Sequence, residues 1–224
     1  MYELARGPLM WAATIIFFAG ILYRCVQLYL LTGKKEHALF YAAPVKPRER
    51  TPEERKIDMI VAVRNSLLGT HPIMAIVSTI FHAFIFVIPL FLLGHNLLLY
   101  ESWGISLFSL PEWLIDALTA VFVLIGLFFL LRRMIVPQVR IISTYYDYLV
   151  LAITVAPFLT GFFAYHQWFD YRSVITIHML VGELMLIAIP FTKIGHMIFF
   201  FFVRILIGSE YSFWRGNRAW QGRI

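Results

Sequence analysis

The sequence is short of charge. Asp, Glu, Lys and Arg supply 14% of the 224 residues, and 60% are hydrophobic. A soluble domain needs far more charge to cover its surface, so an ordinary soluble globule is excluded, and the length suits one domain spanning 1–224. Cysteine is almost missing: Cys25 is the single one. That excludes an intrachain disulfide, a CxxC pair and an iron–sulfur cluster held by this chain alone. Cys25 sits in an apolar stretch and reads as an inert buried residue. There is no internal repeat and no low-complexity segment. The apolar run near the N-terminus is too long for a signal peptide, and no small-residue cleavage site follows it. Leu22-Tyr23-Arg24-Cys25 also lacks the small residues of a lipoprotein processing site. The run therefore reads as a retained helix.

Long hydrophobic runs are what the sequence has. About 20 apolar residues cross a bilayer as a helix, and five segments qualify, roughly 8–31, 72–100, 112–131, 144–165 and 173–207. The expected fold is an all-α integral membrane bundle of five transmembrane helices. The second opens on Pro72, a good first helical residue, and the third opens at Pro111-Glu112. At about 1.5 Å per residue the fifth exceeds the hydrocarbon thickness, so its last turns are expected to project into water. The net charge of +6 is unevenly placed. Lys34, Lys35, Lys46, Arg48, Arg50, Arg55, Lys56 and Arg64 crowd the 32–70 loop. Arg132, Arg133 and Arg140 follow helix three, and Arg215, Arg218 and Arg223 lie in the tail. With five spans these segments share one side, and the other side carries little beyond Arg6 and Arg172. The positive-inside rule then puts the N-terminus outside and the C-terminus in the cytoplasm. Trp11, Trp103, Trp113 and Trp168 read as interface anchors.

Four histidines fall inside spans: His82 and His95 in helix two, His178 and His196 in helix five. Ionisable groups within a membrane are costly and are functional candidates by default, and neutral imidazole is an axial ligand of haem iron. The 18 residues from His178 to His196 make five full turns of helix, so both face one way, about 27 Å apart along the axis. Two haems at different depths, not one, fit that separation. Helix two runs the opposite way, which matches His95 with His178 toward the outer face and His82 with His196 toward the cytoplasm. His82 and His95 project about 140° apart on an ideal helix, and Pro89 between them is a candidate kink. His71, eleven residues before His82, remains the alternative ligand. Against this stands the bland reading that the histidines bond between helices as polar residues do in bundles.

Thr176-Ile177-His178-Met179-Leu180-Val181-Gly182, followed by Pro190-Phe191-Thr192-Lys193-Ile194-Gly195-His196, resembles the last helix of the respiratory nitrate reductase gamma subunit, a five-helix dihaem cytochrome b. Ile80-Phe81-His82 with Gly94-His95, the Leu131-Arg132-Arg133…Pro137-Gln138-Val139-Arg140 loop, and Tyr146-Asp147 are similar to it as well. The resemblance covers helices two to five. It implies two haem b groups, the outer iron held by His95 and His178 and the inner by His82 and His196. Two features depart from the family. Its helix-two histidines are closer together, and its lysine at the outer start of helix three, implicated in quinol binding, has no match here, Ile115 falling near that position. The basic first loop and Gly69-Thr70-His71-Pro72 look more like relatives in sulfate-reducing bacteria. There, such cytochromes belong to transmembrane complexes such as the high-molecular-weight cytochrome c complex. That implies partners: a multihaem cytochrome c, an iron–sulfur protein and a cytoplasmic subunit akin to heterodisulfide reductase.

The remaining polar residues divide more evenly. Glu183 is a candidate proton carrier near a quinone, or an interhelical hydrogen-bonding group. Lys193 either contacts a haem propionate or snorkels to the interface. Arg132, Arg133 and Arg140 mark the cytoplasmic edge, with propionate contacts as the sharper reading. Asp147 suits the dipole at the start of helix four. His37 and His166 read as solvated loop residues. The function expected is an electron conduit in the bacterial inner membrane, between a periplasmic cytochrome c or menaquinone and a cytoplasmic iron–sulfur subunit, with no catalysis by this chain alone. The alternatives are a haem-free membrane anchor or a transporter subunit. Against a transporter, helices three and four carry almost no ionisable residue in their middles. A subunit that itself oxidises quinol is a further alternative.

Overall fold

The computed structural model describes residues 1–33, 51–65, 67–196 and 199. Every regular element among them is helical. In chain order these are α1 (Tyr2–Leu4), a π-helical turn (Ala5–Leu9), α2 (Met10–Gly33), α3 (Pro52–Arg64), α4 (Leu67–Thr70), α5 (Pro72–Phe91), α6 (Leu93–Trp103), α7 (Glu112–Ile135), α8 (Pro137–Ile142), α9 (Tyr145–Tyr165), α10 (Tyr171–Phe191) and a 3-10 turn (Lys193–Gly195). Five segments are long and apolar enough to cross a membrane: Tyr2–Leu30, Pro72–Phe91, Glu112–Ile135, Tyr145–Tyr165 and Tyr171–Phe191. A helix is the form such runs take in lipid, because it satisfies every backbone polar group within the segment. The chain is a multi-pass membrane protein.

Local chemistry sets most boundaries. Thr144 and Asp147 form a reciprocal capping box at the start of α9, the arrangement that satisfies two otherwise unpaired backbone donors. Gly104 ends α6 at φ +68 and returns its N–H to the Tyr100 carbonyl, 2.9 Å, a left-handed cap that suits glycine. Arg132 and Arg133 occupy the last turn of α7, where positive charge opposes the helix dipole. Asp170 accepts the Ser173 N–H at 2.9 Å and caps α10.

Two expected helices are interrupted. The second does not run unbroken to residue 100: α5 stops at Phe91, Leu92 is extended (φ −73, ψ 127), and α6 begins at Leu93. The fifth does not carry His196 on the same helix as His178. α10 ends at Phe191, and Thr192 is extended (φ −121, ψ −178) before the 3-10 turn. The five-turn, same-face relation of His178 and His196 needs an unbroken helix and is therefore corrected. The stretch of helix five expected beyond His196 lies outside the described residues, apart from Phe199. So do Lys34, Lys35, His37, Lys46, Arg48, Arg50, Arg215, Arg218 and Arg223. Within the 32–70 loop, α3 and α4 are helical.

The chain forms two compact units, 1–50 with 183–224, and 51–182. In the second, α7 packs against α5 and α9 around a column of phenylalanine rings. Phe81 stacks on Phe122 at 4.5 Å and 10°, and Phe122 meets Phe158 at 4.0 Å. Phe122 is fully buried. α7 and α9 approach closely at Gly126, where an added Cβ would lie 2.7 Å from Val155 Cγ2. In the first unit, α2 meets the end of α10 at Gly20, where a Cβ would lie 2.7 Å from Pro190 Cγ.

Candidate functional site

The break at Leu92 leaves three carbonyls at the end of α5 without their helical partners. Each is taken by another group. His95 Nδ1 meets the Pro89 carbonyl at 3.0 Å, Asn96 Nδ2 donates to the Leu90 carbonyl at 3.1 Å, and the Leu110 N–H donates to the Phe91 carbonyl at 3.0 Å. Buried carbonyls in a membrane need such replacements. The break therefore turns the His95 ring back along α5. It also removes the premise of the 140° projection, which assumed one regular helix through both histidines.

His178, on α10, is oriented in the same way. Its Nδ1 meets the Pro157 carbonyl of α9 at 2.9 Å and Thr160 Oγ1 at 3.2 Å. Gly161 makes room for it, since a Cβ there would lie 3.0 Å from His178 Cε1. The His95 and His178 rings are neighbours, with centroids 6.0 Å apart and planes 20° from parallel. A carbonyl acceptor fixes the proton on Nδ1 and leaves the Nε2 lone pair for another partner. Among the described residues, neither Nε2 makes a hydrogen bond.

His82, mid-way along α5, has Nδ1 at 2.6 Å from the Ser78 carbonyl and 3.5 Å from Ser78 Oγ. His196, in the other unit, has Nδ1 at 2.6 Å from the Lys193 carbonyl and is exposed. All four histidines singled out from the sequence thus anchor Nδ1 on a backbone carbonyl. His71 is the exposed N-cap of α5.

The other candidates are scattered. Arg133 donates to Ser143 Oγ at 3.1 Å, and its carbonyl accepts from Tyr148. Arg132 ends α7, Arg140 is exposed on α8, and Lys193 is exposed on the 3-10 turn. Glu183 is 5% exposed, and its Oε1 is buried without a hydrogen-bond partner. His166 is not merely solvated: Nε2 pairs with Asp116 Oδ1 at 2.9 Å, joining the end of α9 to the first turns of α7. Ile115, near the position of the lysine in the resembled family, is 3% exposed and part of the core. No group of three or more His, Cys, Asp or Glu that could hold a metal ion occurs among the described residues. A two-histidine axial site requires no such group.

Three participants escaped the sequence reading. Asn96 and Gly161 had a signal of sorts, a polar residue beside His95 in an apolar run and a glycine near Pro157 in a span. Arg24 had been used only to exclude a lipoprotein site. It donates through Nε to the Pro190 carbonyl at 3.1 Å and through Nη1 to Gln27 at 3.1 Å, capping the end of α10 from α2.

Comparison with known proteins gives one full-length similarity. A protein of Nitratidesulfovibrio vulgaris (strain Hildenborough), described only as a protein, is 35% identical over 218 residues, covering 97% of this chain and 96% of its own. No family model matches the chain, and no solved structure matches it.

Proposed function

We propose that this chain, which belongs to the same family as the Nitratidesulfovibrio vulgaris protein, is a membrane dihaem cytochrome b that carries electrons as one subunit of a larger redox complex. The observation that carries the reading is the His95–His178 pair. Their ring centroids lie 6.0 Å apart with planes 20° from parallel, a spacing at which the two imidazoles could together hold one haem iron. Both rings already have Nδ1 held by a proline carbonyl, so the residues fit the group. Haem b, when bound, supplies a one-electron centre inside the low-dielectric barrier.

The chain's own residues do the rest. His95 and His178 would hold the outer haem iron through Nε2. The Pro89 and Pro157 carbonyls fix tautomer and ring direction and make each imidazole a stronger donor. His82 and His196 are assigned to the inner iron on the family resemblance alone. Orientation with the C-terminus in the cytoplasm of a bacterial inner membrane rests on the basic 32–70 loop and tail. Those segments are where a cytoplasmic iron–sulfur or heterodisulfide reductase-like subunit would dock. A multihaem cytochrome c or menaquinone would serve the outer face.

The test is haem content by pyridine haemochrome on the purified chain, with His178→Ala, His82→Ala and His71→Ala beside the wild type. Two b haems per chain are expected, with one lost in His178→Ala and one in His82→Ala. Loss in His71→Ala but not His82→Ala reassigns the inner ligand. A well-folded chain without haem overturns the reading and leaves a membrane anchor.

A further inference from the structure

Asn96 stands one residue from His95, is 2% exposed and has every polar atom engaged. Nδ2 shares its two hydrogens among the Leu90 carbonyl at 3.1 Å, the Leu92 carbonyl at 3.2 Å and Ser109 Oγ at 3.1 Å, and Oδ1 accepts the Leu107 N–H at 2.9 Å. The amide orientation follows from its neighbours, since one end faces backbone carbonyls and the other a backbone N–H. Two of these bonds hold the helix break that redirects His95, and two tie it to the 105–110 loop. A side chain buried this way is costly unless every bond is made, so the break has one stable geometry.

We infer that Asn96 is the positioning residue for His95, fixing through the break the direction in which this imidazole meets the outer iron. It acts through the backbone at Leu90 and Leu92. The inference rests on the haem reading above, deepens it for the outer site alone, and leaves the inner site untouched. Near-parallel axial imidazole planes give a well-resolved rhombic low-spin EPR signal. Rotating one plane moves that signal toward the highly anisotropic type, so ring direction can be read directly.

The experiment uses the full chain, as wild type, Asn96→Ala and Ser109→Ala, with EPR, redox titration and haem retention measured on each. In Asn96→Ala, the outer-haem signal is expected to move and broaden. Retention at that site should fall about tenfold, the lower end of what loss of a ligand-orienting partner costs, with the inner haem unchanged. Ser109→Ala, which removes one acceptor, should shift the same signal in the same direction by less. An outer signal, potential and retention unchanged in Asn96→Ala overturn the inference. If Asn96→Ala does not assemble, an unchanged outer signal in Ser109→Ala overturns it instead. A wild-type chain without haem sinks the parent reading, and that result is distinguishable from either.

Discussion

Replacing Gly161 with alanine tests the proposed outer haem site with one methyl group. Carbon atoms in ordinary contact lie about 3.5–4.0 Å apart, and the new Cβ would sit 3.0 Å from His178 Cε1 and 3.3 Å from Nδ1. The imidazole must retreat by about 0.5 Å or more to regain a normal contact. It is held on that side by the Pro157 carbonyl at 2.9 Å and Thr160 Oγ1 at 3.2 Å. A retreat of about 0.5 Å stretches the first bond to roughly 3.4 Å, beyond the usual range. Overpacking of this kind costs about 1–3 kcal/mol. If His178 holds the proposed outer haem, displacing its ring lowers haem affinity by that cost. That corresponds to a loss of about 5- to 150-fold.

The sign is diagnostic. Alanine in place of glycine inside a helix ordinarily stabilises by about 1 kcal/mol, so a loss has to come from the contact with His178. Gly7 supplies a control, since a Cβ there meets nothing within 4 Å and the residue is remote in sequence from the four histidines. Gly7→Ala should hold haem as the wild type does, and the two together are the controls. The assay is transfer of haem from the detergent-solubilised chain to excess apomyoglobin, with EPR on the same samples. Transfer rates and line positions in Gly161→Ala equal to those of both controls would refute the reasoning.

Gly126→Ala should destabilise the α7–α9 packing by about 1–3 kcal/mol, because its Cβ would lie 2.7 Å from Val155 Cγ2. Thermal unfolding in detergent reads this, and Gly126→Ala with Val155→Ala should recover most of the loss. Asp170→Asn addresses pH. Hydrogen bonds from Ser173 hold the Asp170 carboxyl below its ordinary range, so its contribution is present above the ordinary carboxylate pKa and is lost as pH falls through the depressed value. The wild type should melt higher than Asp170→Asn at neutral pH, and the gap should close in acid. A gap independent of pH refutes the assignment.

The spans were legible because lipid imposes a length and a composition that few other constraints imitate. The interruptions were not. Pro89 draws attention three residues before the break, yet the extended residue is Leu92, which carries no signal of its own. Its geometry depends on Asn96 reaching Leu107 and Ser109 across the next loop, a pairing that no local pattern encodes. In helix five, Pro190 removes one donor, but the Thr192 N–H still reaches the Ala188 carbonyl at 2.9 Å. The helix therefore runs past the proline and ends one residue later, at Phe191. Counting depth on antiparallel helices put His95 and His178 at one level, and their rings are neighbours. Counting turns from His178 to His196 failed, because it needed a helix that Thr192 ends. His166 read as a loop residue because its partner, Asp116, is fifty residues away.

The prolines connect these points. Pro89, Pro157 and Pro190 each lie in an apolar helix, and each offers its carbonyl to a side chain: His95, His178 and Arg24. In lipid a disturbed helix survives only where freed backbone groups find new partners. At Pro89 the imidazole meets that need, because the break at Leu92 frees that carbonyl, so backbone satisfaction and ring orientation are there one interaction. At Pro157, inside the unbroken α9, the imidazole adds a further bond to a helical carbonyl and sets the Nδ1 proton of His178. His95→Ala consequently removes more than a ligand, because it also leaves the Pro89 carbonyl without its partner, a penalty of about 1–3 kcal/mol. Haem loss from that variant mixes two causes. Gly161→Ala keeps every donor and acceptor and changes only where a ring can sit, so haem lost from it is lost to geometry.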